Sequence, residues 1–262
     1  MSLPDTTVPA REVAVKVDGV GMVYPTGTEA LRDIAVEFPR GALVSLLGPS
    51  GCGKTTLLKI IAGLIEPTRG QVIINGTTVH GPSPASAFVF QDFALMPWAT
   101  VLRNVAFGLE LRGVRKRERE AIARKYIAEV GLAGAENRYP HEMSGGMRQR
   151  AGLARALAVD ADVLLMDEPF SAIDEQMRRK LQEDLLSLLR VEKKTVIFVT
   201  HSIEEAVYLS DRIVILSPNP GEVSQVVDTS LAHEGDPETI RRDPRYVALV
   251  DEIWSGLKRY LD

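Results

Sequence analysis

Gly48-Pro49-Ser50-Gly51-Cys52-Gly53-Lys54-Thr55 fits the phosphate-binding pattern G-x-x-x-x-G-K-[ST], and its surroundings fit with it. Ala42 to Leu47 leads in as an apolar run of the kind a buried strand shows. A helical pattern leads out, with Leu57, Leu58, Ile60, Ile61 and Leu64 apolar and Pro67 as its expected stop. The loop therefore lies where a strand hands over to a helix N-terminus, where unpaired backbone N–H groups and the helix dipole favour a polyphosphate. Glycines let the backbone curl close to such a ligand. The pattern directs Lys54 to the β- and γ-phosphates of a nucleotide and the Thr55 hydroxyl to Mg2+.

The remaining bulk properties narrow the class. The chain has 262 residues, 45% hydrophobic and 25% charged, the composition of a soluble globular protein with room for one large α/β domain and an insert. A net charge of −4 gives no general reason to expect nucleic acid as a partner. The longest apolar candidate, Leu57 to Ile65, is interrupted by Lys59 and is too short to span a bilayer. Met1 to Glu12 has no basic start followed by an apolar stretch, so no secretory signal is expected and the default location is cytoplasmic. The single cysteine, Cys52, excludes an internal disulfide framework and a cysteine-based metal cluster. Inside the phosphate loop it reads as a small side chain rather than a nucleophile.

The first ninety residues are β-rich. Val13 to Val17 alternates, Ile34 to Phe38 is a second run, Val72-Ile73-Ile74 precedes an Asn75-Gly76 turn, and Ser86 to Phe90 is a short buried strand ending at Gln91. From Thr100 to about Tyr139 apolar residues recur at helical spacing, which predicts a helical insert (about residues 92–145). Strand and helix then alternate: helix from Ser144, strand Val163 to Met166, helix after Asp174, strand Thr195 to Val199, helix from Ile203, strand Ile213 to Leu216. That alternation implies an α/β fold with a parallel sheet covered by helices. The domain is expected over residues 12–217. Residues 218–262, opening on the Pro218-Asn219-Pro220-Gly221 turn, form a short strand and a helical extension.

Two further stretches carry chemistry. Val163-Leu164-Leu165-Met166-Asp167-Glu168 is an apolar strand ending in two carboxylates. Functional groups project from the carboxyl ends of strands in open parallel sheets, so both should reach the crevice of the phosphate loop. Asp167 suits Mg2+ coordination, direct or through water, and Glu168 suits the base that polarises an attacking water. The bland alternative is a helix-capping or solvated acidic pair. Met143-Ser144-Gly145-Gly146-Met147-Arg148-Gln149-Arg150 opens a helix with an N-cap serine and two glycines, either a simple capped entry or a second anion site. Two cradles in one chain suggest a ligand held between two copies.

The phosphate loop, SGGMRQR, LLMDEP, SAID and THS, in this order, resemble the ATP-binding subunits of ABC transporters over residues 12–217. The resemblance implies a P-loop NTPase core with a parallel sheet, an antiparallel β subdomain and an inserted helical subdomain, and ATP with Mg2+ as cofactors. It extends the nucleotide site to Thr56 and assigns Tyr24, by sequence a strand-end aromatic, to adenine stacking. It gives Gln91 contacts to Mg2+ and the water, and His201 a contact to the γ-phosphate. Ser144, Gly145 and Gly146 are to close on the partner's ATP, and Asp174, equally an N-cap by sequence, is to face the dimer partner. Met143, Met147, Ile173 and Ser202 depart from the usual leucine, glutamine, leucine and aspartate. None removes a phosphate, metal or water contact, so an active ATPase is expected.

Leu95-Met96-Pro97-Trp98 followed by Thr-Val-x-x-Asn-Val resembles the nitrate, sulfonate and taurine branch of bacterial importers. The expected partners are therefore a separate membrane permease, contacted through the helical subdomain, a second ATPase subunit as a homodimer, and a periplasmic or extracellular solute-binding protein. The expected place is the cytoplasmic side of the inner membrane. Residues 92–98 could line the permease groove or pack the insert. The run Arg112, Arg115, Lys116, Arg117 and Arg119 reads as a solvated helix face, with lipid headgroup contact as the alternative. Tyr246, Leu249, Val250, Ile253, Leu257 and Leu261 form an apolar stripe that should dock on the body, with a regulatory or dimer contact left open. A permease-free ABC ATPase of repair, translation or iron–sulfur assembly is the rival, against which stand the absent coiled coil and second cassette. A P-loop kinase or GTPase is disfavoured by SGGMRQR and Gln91.

Overall fold

The computed structural model describes residues 12–171, 175–229, 231 and 237–260. Strands β1 (Val13–Val23), β2 (Glu29–Pro39), β4 (Arg69–Ile74) and β5 (Thr77–Thr78) form an antiparallel sheet in the order β2-β1-β4-β5. The second sheet contains β3 (Leu43–Leu47), β6 (Ser86–Val89), β7 (Val163–Asp167), β8 (Thr195–Val199), β9 (Arg212–Leu216) and β10 (Val223–Asp228). Its order is β10-β9-β3-β8-β7-β6, with all neighbours parallel except β10 against β9.

Every residue of β3, β7 and β8 is buried, so the sheet is covered on both faces. The two-residue period divides these strands between two apolar cores. Leu43, Leu47, Leu164, Met166, Val196 and Phe198 join one core, while Val44, Leu46, Val163, Leu165, Ile197 and Val199 join the other. The second core also holds the apolar face of α1 (Lys54–Ile61) and the inward residues of the antiparallel sheet. The first core takes α2 (Val101–Leu111), α3 (Lys116–Glu129), α4 (Gly145–Ala158), α5 (Glu175–Glu192), α6 (Ile203–Leu209), α7 (Pro237–Ile240) and α8 (Pro244–Lys258).

Helix α1 stops earlier than Pro67. Gly63 takes a left-handed backbone (φ 70°), its N–H donating to the Ile60 carbonyl and that of Leu64 to the Lys59 carbonyl. This Schellman turn ends the helix at Ala62, well before the proline. Helices α2 and α3 pack on each other and on α4. Asn104, buried in α2, shapes the loop before it: its amide oxygen accepts from the Met96 N–H and its nitrogen donates to the Met96, Ala99 and Thr100 carbonyls. In α8, Tyr246, Ile253 and Leu257 are buried and Leu249 and Val250 pack against the same core. The stripe docks on the body; Leu261 lies outside the described residues. Among the described residues no helix is long and apolar enough to cross a membrane.

Candidate functional site

The strand order β3-β8-β7-β6 sets four adjacent carboxyl ends side by side. From these ends run the phosphate loop, Thr200-His201, Asp167-Glu168 and Gln91, so segments far apart in sequence meet along one sheet edge.

The phosphate loop turns from β3 into α1 through Gly53, the N-cap, whose φ of 92° is left-handed. A Cβ there would lie 2.5 Å from Leu31 Cδ2 and 2.9 Å from the Ala30 carbonyl oxygen, so glycine is required twice over. No side chain caps α1, which leaves its first amides to a ligand. Lys54 is buried, and its Nζ donates to the carbonyls of Gly48 (2.8 Å) and Pro49 (2.9 Å), arching over the loop's own backbone. Ser50 and Gly51 are exposed at the tip. Cys52 is buried; burial pushes its thiol up, against the pull of Lys54, so it remains a neutral packing group.

The Thr55 hydroxyl donates to Asp167 Oδ1 at 2.8 Å. Burial pushes the Asp167 carboxyl up, the Thr55 hydrogen bond opposes this, and neighbouring Glu168 adds to the rise. Such a carboxylate gains from any cation brought beside it. Glu168 projects from a left-handed residue (φ 45°) just past β7. Gln91 Nε2 lies 3.4 Å and His201 Nδ1 3.5 Å from the same atom, Glu168 Oε2. Tyr24 sits beside this edge with its hydroxyl 3.0 Å from Thr56 Oγ1.

Ser144 N-caps α4, its Oγ accepting from the Met147 N–H at 3.3 Å. With Gly146 it lines a separate cavity closed by residues 131–135, Arg138 and Arg150, a wall that contains no residue of the phosphate loop. Asp174 lies outside the described residues.

Several residues with a part in this arrangement went unread in the sequence. Arg155 donates to the Phe93 and Ala94 carbonyls (both 2.6 Å), clamping two left-handed residues just after Gln91 onto α4. Gln149 Nε2 donates to the Pro169 carbonyl, tying α4 to the residue after Glu168. An arginine and a glutamine in a helical pattern look like solvated positions, and only the fold buries Gln149 and half-buries Arg155. The basic run divides similarly. Arg112 donates to the Val159 and Pro84 carbonyls and Arg119 to the Val114 carbonyl and Glu110, while Arg115, Lys116 and Arg117 are exposed.

Gly221, read only as a turn residue, packs against the phosphate loop. Its N–H donates to the Ala30 carbonyl, its carbonyl accepts from the Arg32 N–H, and a Cβ would lie 2.1 Å from the Cys52 carbonyl oxygen. Gly221→Ala must therefore displace loop backbone. We expect a loss of about 1–3 kcal/mol in stability and about tenfold in ATP affinity, read by denaturant melts and calorimetry. Unchanged affinity would show that the turn yields and the loop does not.

Comparison with known proteins gives a consistent result. Residues 31–171 match the ABC transporter family. An ABC transporter ATP-binding protein of Methanocaldococcus jannaschii is 47% identical, the alignment covering 94% of this chain and 95% of that protein. Taurine import ATP-binding proteins of Yersinia pestis (44% identical; 91% of this chain, 95% of the relative) and Pseudomonas fluorescens (45%; 91% and 92%) are similar over the same length. Among solved structures, a dimeric bacterial ABC transporter cassette superposes with a TM-score of 0.72 at 33% identity, covering 82% of this chain and 98% of that one. The same cassette in a post-hydrolysis state bound to ADP and phosphate gives the same values. With its phosphate loop, paired carboxylates and sheet-edge histidine in one crevice, the chain belongs to the ABC transporter family as an ATP-binding, ATP-hydrolysing subunit.

Proposed function

We propose that this subunit powers uptake of a small solute, in the class of taurine, other sulfonates or nitrate, through a separate membrane permease. The observation that carries the catalytic part is the meeting of Gln91 and His201 on Glu168 Oε2, beside the Lys54 loop. In this reading Glu168 polarises the attacking water, Gln91 touches that water and senses the γ-phosphate, and His201 and Lys54 stabilise charge on the γ-phosphate. The backbone amides of residues 48–56 hold the phosphates and Tyr24 stacks on the adenine.

Mg2+ suits the oxygen donors present: the Thr55 hydroxyl, the Asp167 carboxylate raised by burial, and the Gln91 amide. Mg2+ in nucleotide sites is held by one or two protein side chains together with substrate phosphates, so this small donor set is sufficient. When bound it would neutralise charge on the phosphates.

Ser144 and Gly146 line a cavity whose wall holds no residue of the phosphate loop, which supports the reading that, with Gly145, they close on the ATP of a second copy. Asp174 is proposed to face that partner. The permease is proposed to seat on the helical subdomain (about 92–145, within an ATPase domain of 12–217), where Trp98 and Leu111 are exposed at 76% and 73%. Residues 218–262 are the extension. Similarity to taurine import ATP-binding proteins supports the direction, and similarity to a dimeric cassette supports the homodimer; a place on the cytoplasmic side of the inner membrane and a solute-binding protein outside it belong to the same proposal.

The test is affinity isolation of Glu168→Gln with MgATP from detergent-solubilised membranes of the native host. A polytopic membrane protein in the eluate is the expected result. Only soluble partners, from a preparation that preserves other membrane complexes, would favour the permease-free alternative.

A further inference from the structure

Behind the sheet edge a directed chain of hydrogen bonds joins the loop bearing His201 to the C-terminal segment. Thr200, 2% exposed, uses one hydroxyl twice: Oγ1 donates to Glu205 Oε2 at 2.6 Å and accepts from the Ser202 N–H at 3.0 Å. The residues on both sides of His201 are thereby tied to one atom. The Thr200 N–H donates to the Leu46 carbonyl of β3, and Ser202 Oγ accepts the Glu205 N–H at 3.2 Å. On the far side, Glu205 Oε1 accepts from Nε2 of buried Gln182 at 3.0 Å. Gln182 Oε1 accepts from Arg241 Nη2 at 3.1 Å, and the Arg241 guanidinium stacks 4.6 Å above the Tyr208 ring. Both ends of the Gln182 amide are used in the only sense its chemistry allows between a carboxylate and a guanidinium.

We propose that Glu205 is a positioning residue for His201, acting through Thr200 and held in turn by Gln182 and by Arg241 of the C-terminal segment. The extension is on this view part of the catalytic support. The inference rests on the assignment of His201 to the γ-phosphate. A half-buried carboxylate with two side-chain partners, Thr200 after β8 and Gln182 of α5, fixes geometry, where a plain helix cap would need Ser202 alone.

The test compares full-length variants in steady-state ATPase and ATP-binding assays, with His201→Ala alongside. Thr200→Val, nearly isosteric, is expected to lower kcat about tenfold with ATP affinity within about twofold, since a misplaced group costs rate and not nucleotide binding. Thr200→Ser should recover most of that loss. Arg241→Met should lower kcat about threefold, and combined with Thr200→Val should add nothing further, because the two act through one chain. If His201→Ala turns over at the wild-type rate, the γ-phosphate assignment and this inference fall together. If His201→Ala is impaired while Thr200→Val and Glu205→Ala keep their kcat, or if the Arg241 and Thr200 effects simply add, only the positioning role is overturned.

Discussion

Glu168→Gln is expected to bind MgATP at close to wild-type affinity, to hydrolyse it about a thousandfold more slowly, and to accumulate as a dimer. Glutamine keeps the size of the side chain and one carbonyl oxygen, so the 3.4 Å approach of Gln91 Nε2 can persist. What disappears is the basic oxygen proposed to polarise the water, a role worth about 10²–10⁴-fold in rate, or about 4 kcal/mol at the middle of that range. The proposed nucleotide contacts lie elsewhere, at the backbone of residues 48–56 and at the side chains of Lys54 and Thr55. Binding without turnover leaves two nucleotides holding two subunits together, because ligand that binds only the closed pair stabilises it by mass action. Single-turnover hydrolysis and gel filtration with MgATP read both effects. A variant hydrolysing at near wild-type rate would mean that Glu168 serves only to seat Gln91 and His201, and the base would have to be sought elsewhere.

The chemistry was legible because its signals are local. A glycine-rich loop between an apolar strand and a helix needs no tertiary information, and an apolar strand ending in Asp167-Glu168 points to a sheet's carboxyl edge by strand polarity alone. The fold class followed from the strand and helix alternation after Ser144. What escaped depends on long-range packing. Pro67 is a helix breaker in any context, yet Gly63 acts first because its left-handed turn satisfies two carbonyls at the end of α1. Gly221 carries no sign in sequence that its neighbour is the Cys52 carbonyl, 169 positions away in the chain. Arg155, Gln149, Gln182 and Glu205 have the composition of a solvated helix face; the burial of Gln149 and Gln182 and the half-burial of Arg155 and Glu205 exist only once α4, α5 and α6 are laid against the sheet. The departures Met143 and Met147 leave the Ser144 cap intact, since that cap uses a backbone N–H that any residue but proline supplies at 147.

Lys54→Ala is expected to lose nucleotide affinity by about a hundredfold or more. In the structure the ammonium is turned onto the Gly48 and Pro49 carbonyls, with Cys52 Sγ at 3.7 Å as a weaker third contact. Those carbonyls hold a buried cation at the mouth of the loop, where a polyphosphate is drawn by charge as well as by amides. A hydrogen bond to a charged group contributes about 1.5–3 kcal/mol, so loss of even two phosphate contacts gives about 3 kcal/mol or more, equivalent to at least two decades in Kd. The same substitution removes two internal bonds from the loop, so the protein measured without nucleotide should also lose stability, by about 1–2 kcal/mol. Lys54→Met separates the two consequences. Its unbranched side chain refills most of the buried stem's space and should recover part of the stability, while the charge stays absent and affinity stays low. Calorimetric titration with MgATP, beside denaturant melts of the empty proteins, measures both quantities. Undiminished affinity in Lys54→Met would assign phosphate binding to the backbone amides and helix dipole alone, and would leave the lysine as an internal brace of the loop.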